Sequence, residues 1–211
     1  MSTFFIKILQ EAAALGWIDW TVTVTALVYV VLAARQNVWC WVWGIVSCSL
    51  WAYASFFFYN LWLDALLQIF YVVMGFVGIY RWMGRKGDGV TSSQITENQG
   101  LPITKLTLQQ HFFIIIGGSL IALLFGYFFD IYTPAAATYL DAFVTIFSVI
   151  TTFMLVQKKL DNWLYWVVID AASVYLFGSR GAYLFAFIMI IYTIIAANAF
   201  LQWRKEWHSL A

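Results

Sequence analysis

Seven apolar stretches of close to spanning length leave this chain few folds to choose from. They lie at about 19–34, 38–57, 60–83, 111–129, 136–156, 162–179 and 181–203. A helix rising about 1.5 Å per residue needs roughly 20 such residues to cross a ~30 Å hydrocarbon core. In lipid, only helices and closed barrels satisfy every backbone N–H and C=O, and runs this long are helical. Of the 211 residues, 64% are hydrophobic and 10% charged, against about a quarter charged in a soluble domain. The chain therefore reads as an all-α integral membrane protein embedded in a lipid bilayer.

The connections order the helices. Most are a few residues, so consecutive helices are antiparallel neighbours. The exception, 84–110, is rich in Gly, Ser, Thr, Gln and Asn and reads as a linker. The expected divisions are an N-terminal amphipathic or extra helix at 1–17, a first three-helix bundle at 18–83 and the linker at 84–110. A connecting transmembrane helix at 111–133, a second bundle at 134–203 and a tail at 204–211 complete the chain. Nine of the eleven basic residues, among them Arg35, Arg81, Lys158, Lys159 and Arg204, fall at one end of this alternation. By the positive-inside rule, the linker and C-terminus are expected to be cytoplasmic. No cleavable signal peptide is evident in 1–17, where Lys7 and Glu11 interrupt a short apolar stretch.

A weak repeat relates the two bundles. Asp19 and Asp141 are 122 residues apart, Trp43 and Trp166 are 123 apart, and Tyr71 with Tyr192 and Trp82 with Trp203 are 121 apart. Three helices, one connector and three more make the triplets run in the same direction, a 3+1+3 parallel repeat with its axis along the membrane normal. Such carriers bind substrate near the midplane, at the repeat interface.

The polar groups inside the spans mark where that site would be. In Asn162-Trp163-Leu164-Tyr165-Trp166-Val167-Val168-Ile169-Asp170, a helix turns Trp163, Trp166 and Asp170 to one side. An ionisable group two turns into an apolar helix costs roughly 2.5–3.5 kcal/mol on insertion scales and faces a cavity or a polar partner. Two indoles beside a carboxyl suit a flat ring, above all a cationic one bearing hydroxyls. The tryptophans alone would equally suit an interfacial aromatic belt, but a belt needs no carboxyl one turn deeper. A second stripe runs Asn60, Asp64, Gln68, Tyr71. Asn60 and Asp64 also suit helix capping, and Gln68 an interhelical hydrogen bond. Trp43 and Ser47 repeat Trp166 and Asp170 in the first bundle, and Tyr192 and Asn198 complete the candidates. Asp19 and Asp141 begin helices and read as caps.

Trp163-x-x-Trp166-x-x-x-Asp170, the three-one-three layout and the tryptophan-rich segments resemble the PnuC-type vitamin B3 transporters, whose fold is similar to that of the SWEET sugar carriers. The resemblance covers about Asp19 to Trp203. It implies uptake of nicotinamide riboside across a bacterial inner membrane by uniport, with a cytosolic riboside kinase trapping the product by phosphorylation. One departure is that the first bundle lacks a second full signature, so the halves would contribute unequally.

Several function classes lose support. Net charge is +1, so no nucleic-acid footprint is indicated. There is no glycine-rich phosphate loop, no His/Cys cluster for a metal and no nucleophile–base pair within the spans, so no cofactor and no enzymatic activity are expected. Apart from Arg81 at the end of the third, no Lys or Arg lies inside a span, which favours a neutral or cationic cargo. From the residues alone, thiamine or another riboside remains open, as does a channel or proton pump using Asp64 and Asp170. The stoichiometry is open too, a homo-oligomer included.

Overall fold

The computed structural model describes residues 2–59, 62–83, 101–132 and 138–210. Among the described residues, eight helices occur in the order α1 (Ser2–Ala14), α2 (Trp17–Ala34), α3 (Cys40–Phe57), α4 (Trp62–Trp82), α5 (Leu108–Tyr132), α6 (Thr138–Val156), α7 (Asn162–Ser179) and α8 (Tyr183–Leu210). Six of them, α2–α6 and α8, are long and apolar enough to cross a membrane, so the chain is a multi-pass membrane protein. The seventh expected span, α7, is not in that set. It has 18 residues, but it carries Asn162, Asp170 and Ser173, all buried, which lower its apolar character.

Local chemistry sets the ends. Helices α2 and α6 stop in the same way, at Gln36 (φ 55°) and Lys158 (φ 48°), both left-handed. In the first, Asn37 N–H reaches Leu32 C=O and Gln36 N–H reaches Ala33 C=O, each at 2.9 Å. In the second, Lys159 reaches Met154 and Lys158 reaches Leu155, again at 2.9 Å. Both are Schellman closures, in which a left-handed residue lets the last carbonyls find donors. Helix α5 begins inside the stretch read as linker, because Thr107 and Gln110 form a capping box: Thr107 N–H donates to Gln110 Oε1 (2.9 Å) and Gln110 N–H to Thr107 Oγ1 (3.3 Å). The residues before it are tied to the α6–α7 turn through Leu160 N–H to Thr104 C=O at 2.8 Å and Leu106 N–H to Asp161 Oδ2 at 2.7 Å. Helix α1 has 13 residues, about 20 Å at 1.5 Å each, too short to cross. It packs on α8, where Glu11 accepts the first backbone N–H groups of that helix, from Tyr183 (3.2 Å) and Leu184 (2.7 Å).

Packing divides the helices into two triplets. Helix α3 joins α2 to α4, and α7 joins α6 to α8. Between the triplets, α2 meets α8 and α4 meets α6, while α5 lies on α6. The best-buried residues gather at the end carrying the C-terminus, around Trp41, Trp82, Trp163 and Trp203. Close approach there depends on small residues. A Cβ on Gly78 would lie 2.3 Å from the Trp41 ring, whereas one on Gly117 would meet nothing within 4 Å. Gly78→Ala is therefore expected to lower stability by about 1–3 kcal/mol, the usual cost of overpacking, and Gly117→Ala to leave it unchanged. Thermal midpoints of the two purified variants in detergent check this.

Candidate functional site

Between the triplets lies a cavity of about 450 Å³ whose lining comes from both. Many facing positions repeat along the chain. Trp41 and Trp163, Cys48 and Asp170, and Trp51 and Ser173 each lie 122 residues apart and all line it. Gln68 with Met189, Tyr71 with Tyr192 and Gly75 with Ala196 do so at 121. One wall thus presents Asp170 where the other presents a thiol, so the site is asymmetric.

Asp170 sits midway along α7 and is 6% exposed. It lines the cavity, and among the described residues no hydrogen bond or ion pair reaches its carboxyl. A buried polar group left without a partner is costly. Its placement on a cavity wall gives it one remaining source of partners, whatever occupies the cavity. Trp166, one turn earlier on the same face, is half-buried and also lines the space. Trp163 lines it too but is 1% exposed, packed edge-on to Trp203 at 5.5 Å. The two indoles of the motif therefore differ: Trp166 lines the cavity while half-buried, and Trp163 belongs largely to the floor.

The other sequence candidates separate. Gln68, Ser47 and Tyr192 line the cavity; Ser47 spends its hydroxyl on Val22 C=O at 3.1 Å. Trp43 and Asn198 do not line it and are exposed. Two residues along a helix is about 200° of rotation, so Trp43 points away from the face of Trp41. Asn198, six residues from Tyr192, is likewise turned off the cavity side. Asp64 is not in the lining and accepts the Ser55 hydroxyl at 2.6 Å. Asn60 lies outside the described residues.

Tyr71 of the second stripe and Trp51 also line the cavity, as do three residues not singled out as site candidates from sequence: Trp41, Tyr29 and Asp19, the last read as a cap. Trp41 carried a usable signal, since it precedes Trp163 by 122, the spacing of Asp19 and Asp141. Pairing Trp43 with Trp166 at 123 missed it by one residue in register. Tyr29 had none; its ring fills the space that Gly44 leaves, 3.0 Å from where a Cβ would stand. Asp19 accepts Gly16 N–H (3.0 Å) as a cap, and the Tyr59 hydroxyl (2.8 Å) at the end of the cavity opposite the C-terminus. That bond to Asp19 pushes the Tyr59 phenol pKa upward. At the same end, Arg180 pairs with Asp141, one of its bonds measuring 3.2 Å.

Electrostatically the cavity is simple. Among the described lining residues the charged types are Asp19 and Asp170, with no Lys, Arg or His. Among the described residues, no three His, Cys, Asp or Glu side chains gather where they could hold a metal ion.

Comparison with known proteins places this architecture. The family model described as nicotinamide mononucleotide transporter matches residues 16–205. The chain belongs to this family. The nicotinamide mononucleotide transporter match takes in α2 to α7 and most of α8, and leaves α1 outside. Relatives named nicotinamide riboside transporter PnuC occur in Escherichia coli (strain K12) and Shigella flexneri. Each is 24% identical over 209 residues, covering 90% of this chain and 85% of the relative. A namesake from Neisseria mucosa is 22% identical, over 75% of this chain and 59% of its own length. In fold, the chain is similar to a crystal structure of the vitamin B3 transporter PnuC, with a TM-score of 0.71 at 19% identity, over 99% of this chain and 91% of the other. As a member of the nicotinamide mononucleotide transporter family, the protein is a membrane transporter.

Proposed function

We propose that the protein carries nicotinamide riboside by facilitated diffusion, holding it in the cavity between the triplets. One observation carries this: a buried, unpartnered Asp170 beside Trp166, on the wall of a cavity that has no basic lining residue among those described. A pyridinium ring can stack on the indole, and ribose hydroxyls can donate to the carboxyl. Tyr192, Gln68 and Ser47 stand around the same space. Its volume falls within the roughly 300–1,000 Å³ usual for small-molecule sites. The names of the relatives agree on the riboside, and the family description names the phosphorylated form. The absence of basic lining favours the riboside.

The architecture we propose is the 3+1+3 parallel repeat with α7 as a seventh span, about 27 Å long at 1.5 Å per residue. Support comes from the matching Schellman turns, the lining pairs 122 and 121 apart, and first-against-third contacts in both directions, α2 with α8 and α4 with α6. The positive-inside rule puts the C-terminal end in the cytoplasm of a bacterial cell, beneath the inner membrane. A cytosolic kinase would then trap the riboside by phosphorylation. A proton pump relaying between Asp64 and Asp170 is disfavoured, because Asp64 is bonded to Ser55 away from the cavity.

Proteoliposomes given the labelled riboside outside should fill until the concentrations are equal, without ATP or an ion gradient. Unlabelled riboside should compete, and thiamine should compete less. Accumulation beyond equality that collapses with an uncoupler would overturn the passive mechanism. Ionic conductance without competition would overturn the carrier.

A further inference from the structure

The C-terminal end of the cavity is closed by four tryptophans, two from each triplet. Trp41 and Trp82 meet edge-on at 5.3 Å and 85°, and Trp163 and Trp203 at 5.5 Å and 81°. All four are at most 4% exposed. Trp41 and Trp163 form the cavity floor, and Trp82 and Trp203 lie behind it. Within each triplet the pair is a near copy of the other, so each can move as a unit. Between triplets the described ties are fewer. Trp82 and Trp203 meet at 6.1 Å, and Trp203 Nε1–H donates to Ala34 C=O at 2.8 Å. Farther along, Phe70 of α4 meets Phe153 of α6 at 5.6 Å, and at the C-terminal end a polar chain adds a further tie. Lys158 Nζ donates to Gln36 Oε1 at 3.3 Å, and Gln36 Nε2 donates to Glu206 Oε2.

The position of that chain is distinctive. Gln36 and Lys158 are 122 apart and are the two left-handed residues that close α2 and α6. They are repeat partners bonded to each other, which places them on the axis relating the triplets. Lys158 is 7% exposed and its ammonium lies 4.7 Å from the Trp82 ring centroid, so it also leans on the ring behind the floor. Burial pulls its pKa below the usual lysine value, while Glu206 pulls it back up.

We propose that Gln36, Lys158 and Glu206 are the latch of a C-terminal gate. While Gln36 is held from both sides, the tryptophan pairs stay shut and the cavity is sealed at that end. Release of the latch lets the pairs part between Trp82 and Trp203. This rests on the carrier reading above and names positioning residues that do not line the cavity. Cys40 reports on the gate: it is free, fully buried and packed in the same cluster as Trp41, Trp82 and Trp203.

The test is alkylation of Cys40 by N-ethylmaleimide in the purified full-length protein, followed by peptide mapping, beside the melting temperature. Lys158→Met keeps the stem on Trp82 and removes the charge. It should speed Cys40 alkylation about tenfold, as loss of one charge-assisted hydrogen bond allows, with the melting temperature unmoved. Lys158→Arg should label like the parent. Glu206→Gln, at an exposed position, should give a smaller rise of about threefold. Parent-like labelling in both Lys158→Met and Glu206→Gln would overturn the latch. So would a rise matched by a fall in melting temperature in Glu206→Gln, which would mean plain loosening. No substrate is needed, so failure to bind the riboside with the Cys40 result intact would count against the cargo alone.

Discussion

Asp170→Leu is expected to weaken nicotinamide riboside binding by roughly 10- to 100-fold and, at the same time, to raise the melting temperature. The loss follows from hydrogen bonds to a charged group, worth about 1.5–3 kcal/mol. The gain follows because the native carboxyl is buried with no protein partner, and an apolar side chain of similar size removes that penalty. Opposite signs for binding and stability are the mark of a functional polar group rather than a structural one. Asp170→Asn keeps an acceptor and should stay within a few-fold of the parent. Trp166→Ala should lose more than Trp166→Phe, since cation–π contacts span about 0.5–2 kcal/mol. Calorimetric titration of the four monodisperse variants, with thermal melts alongside, checks all of this. If Asp170→Leu and Trp166→Ala both bind like the parent, the motif is a membrane belt and the site moves to Gln68.

A 5′-phosphate on the same ligand should cost at least two orders of magnitude in affinity. Moving an ion into the interior carries an effective penalty of several kcal/mol unless a partner offsets it. The described lining has none: its charged types are Asp19 and Asp170, both acidic, and a phosphate near either would be repelled. Lys158, though near the floor, sits behind it over Trp82 and is engaged by Gln36. Nicotinamide mononucleotide should therefore fail to displace labelled riboside from the purified protein at concentrations where unlabelled riboside competes fully. Equal displacement would mean that the cargo binds somewhere other than this cavity.

How much of this could be read from the chain depends on the physical signal each feature leaves. Six of the seven expected spans were visible because lipid demands long apolar runs, and their helix ends mostly fall within a few residues of expectation. The miss at α5 came from taking Thr107 and Gln110 as linker, although T-x-x-Q is a capping signature. Asp170 stood out because a carboxyl in an apolar helix is expensive wherever it points. Trp43 and Asn198 illustrate the reverse: aromatic and amide side chains are tolerated at lipid interfaces, so only rotation about the helix separates lining from exposed. At a spacing of 122, Trp166 matches Gly44 and Trp163 matches Trp41; a slip of one residue, about 100°, was enough to bring in Trp43 instead. Tyr29 and the Gln36–Lys158 bond depend on contacts between helices distant in sequence. Periodicity within one helix carries no trace of these, and the repeat spacing of 122 was the sole hint of the second.

The central claim is that the cavity between the triplets, with Trp166 and Asp170 on its wall, is the riboside site. Its most direct measurement is a crystal structure of the purified protein grown with nicotinamide riboside. The account predicts density in this cavity, with the pyridinium ring against the Trp166 face and a ribose hydroxyl within hydrogen-bonding distance of the Asp170 carboxyl. Ligand density elsewhere, with the cavity and both side chains unchanged, would contradict it.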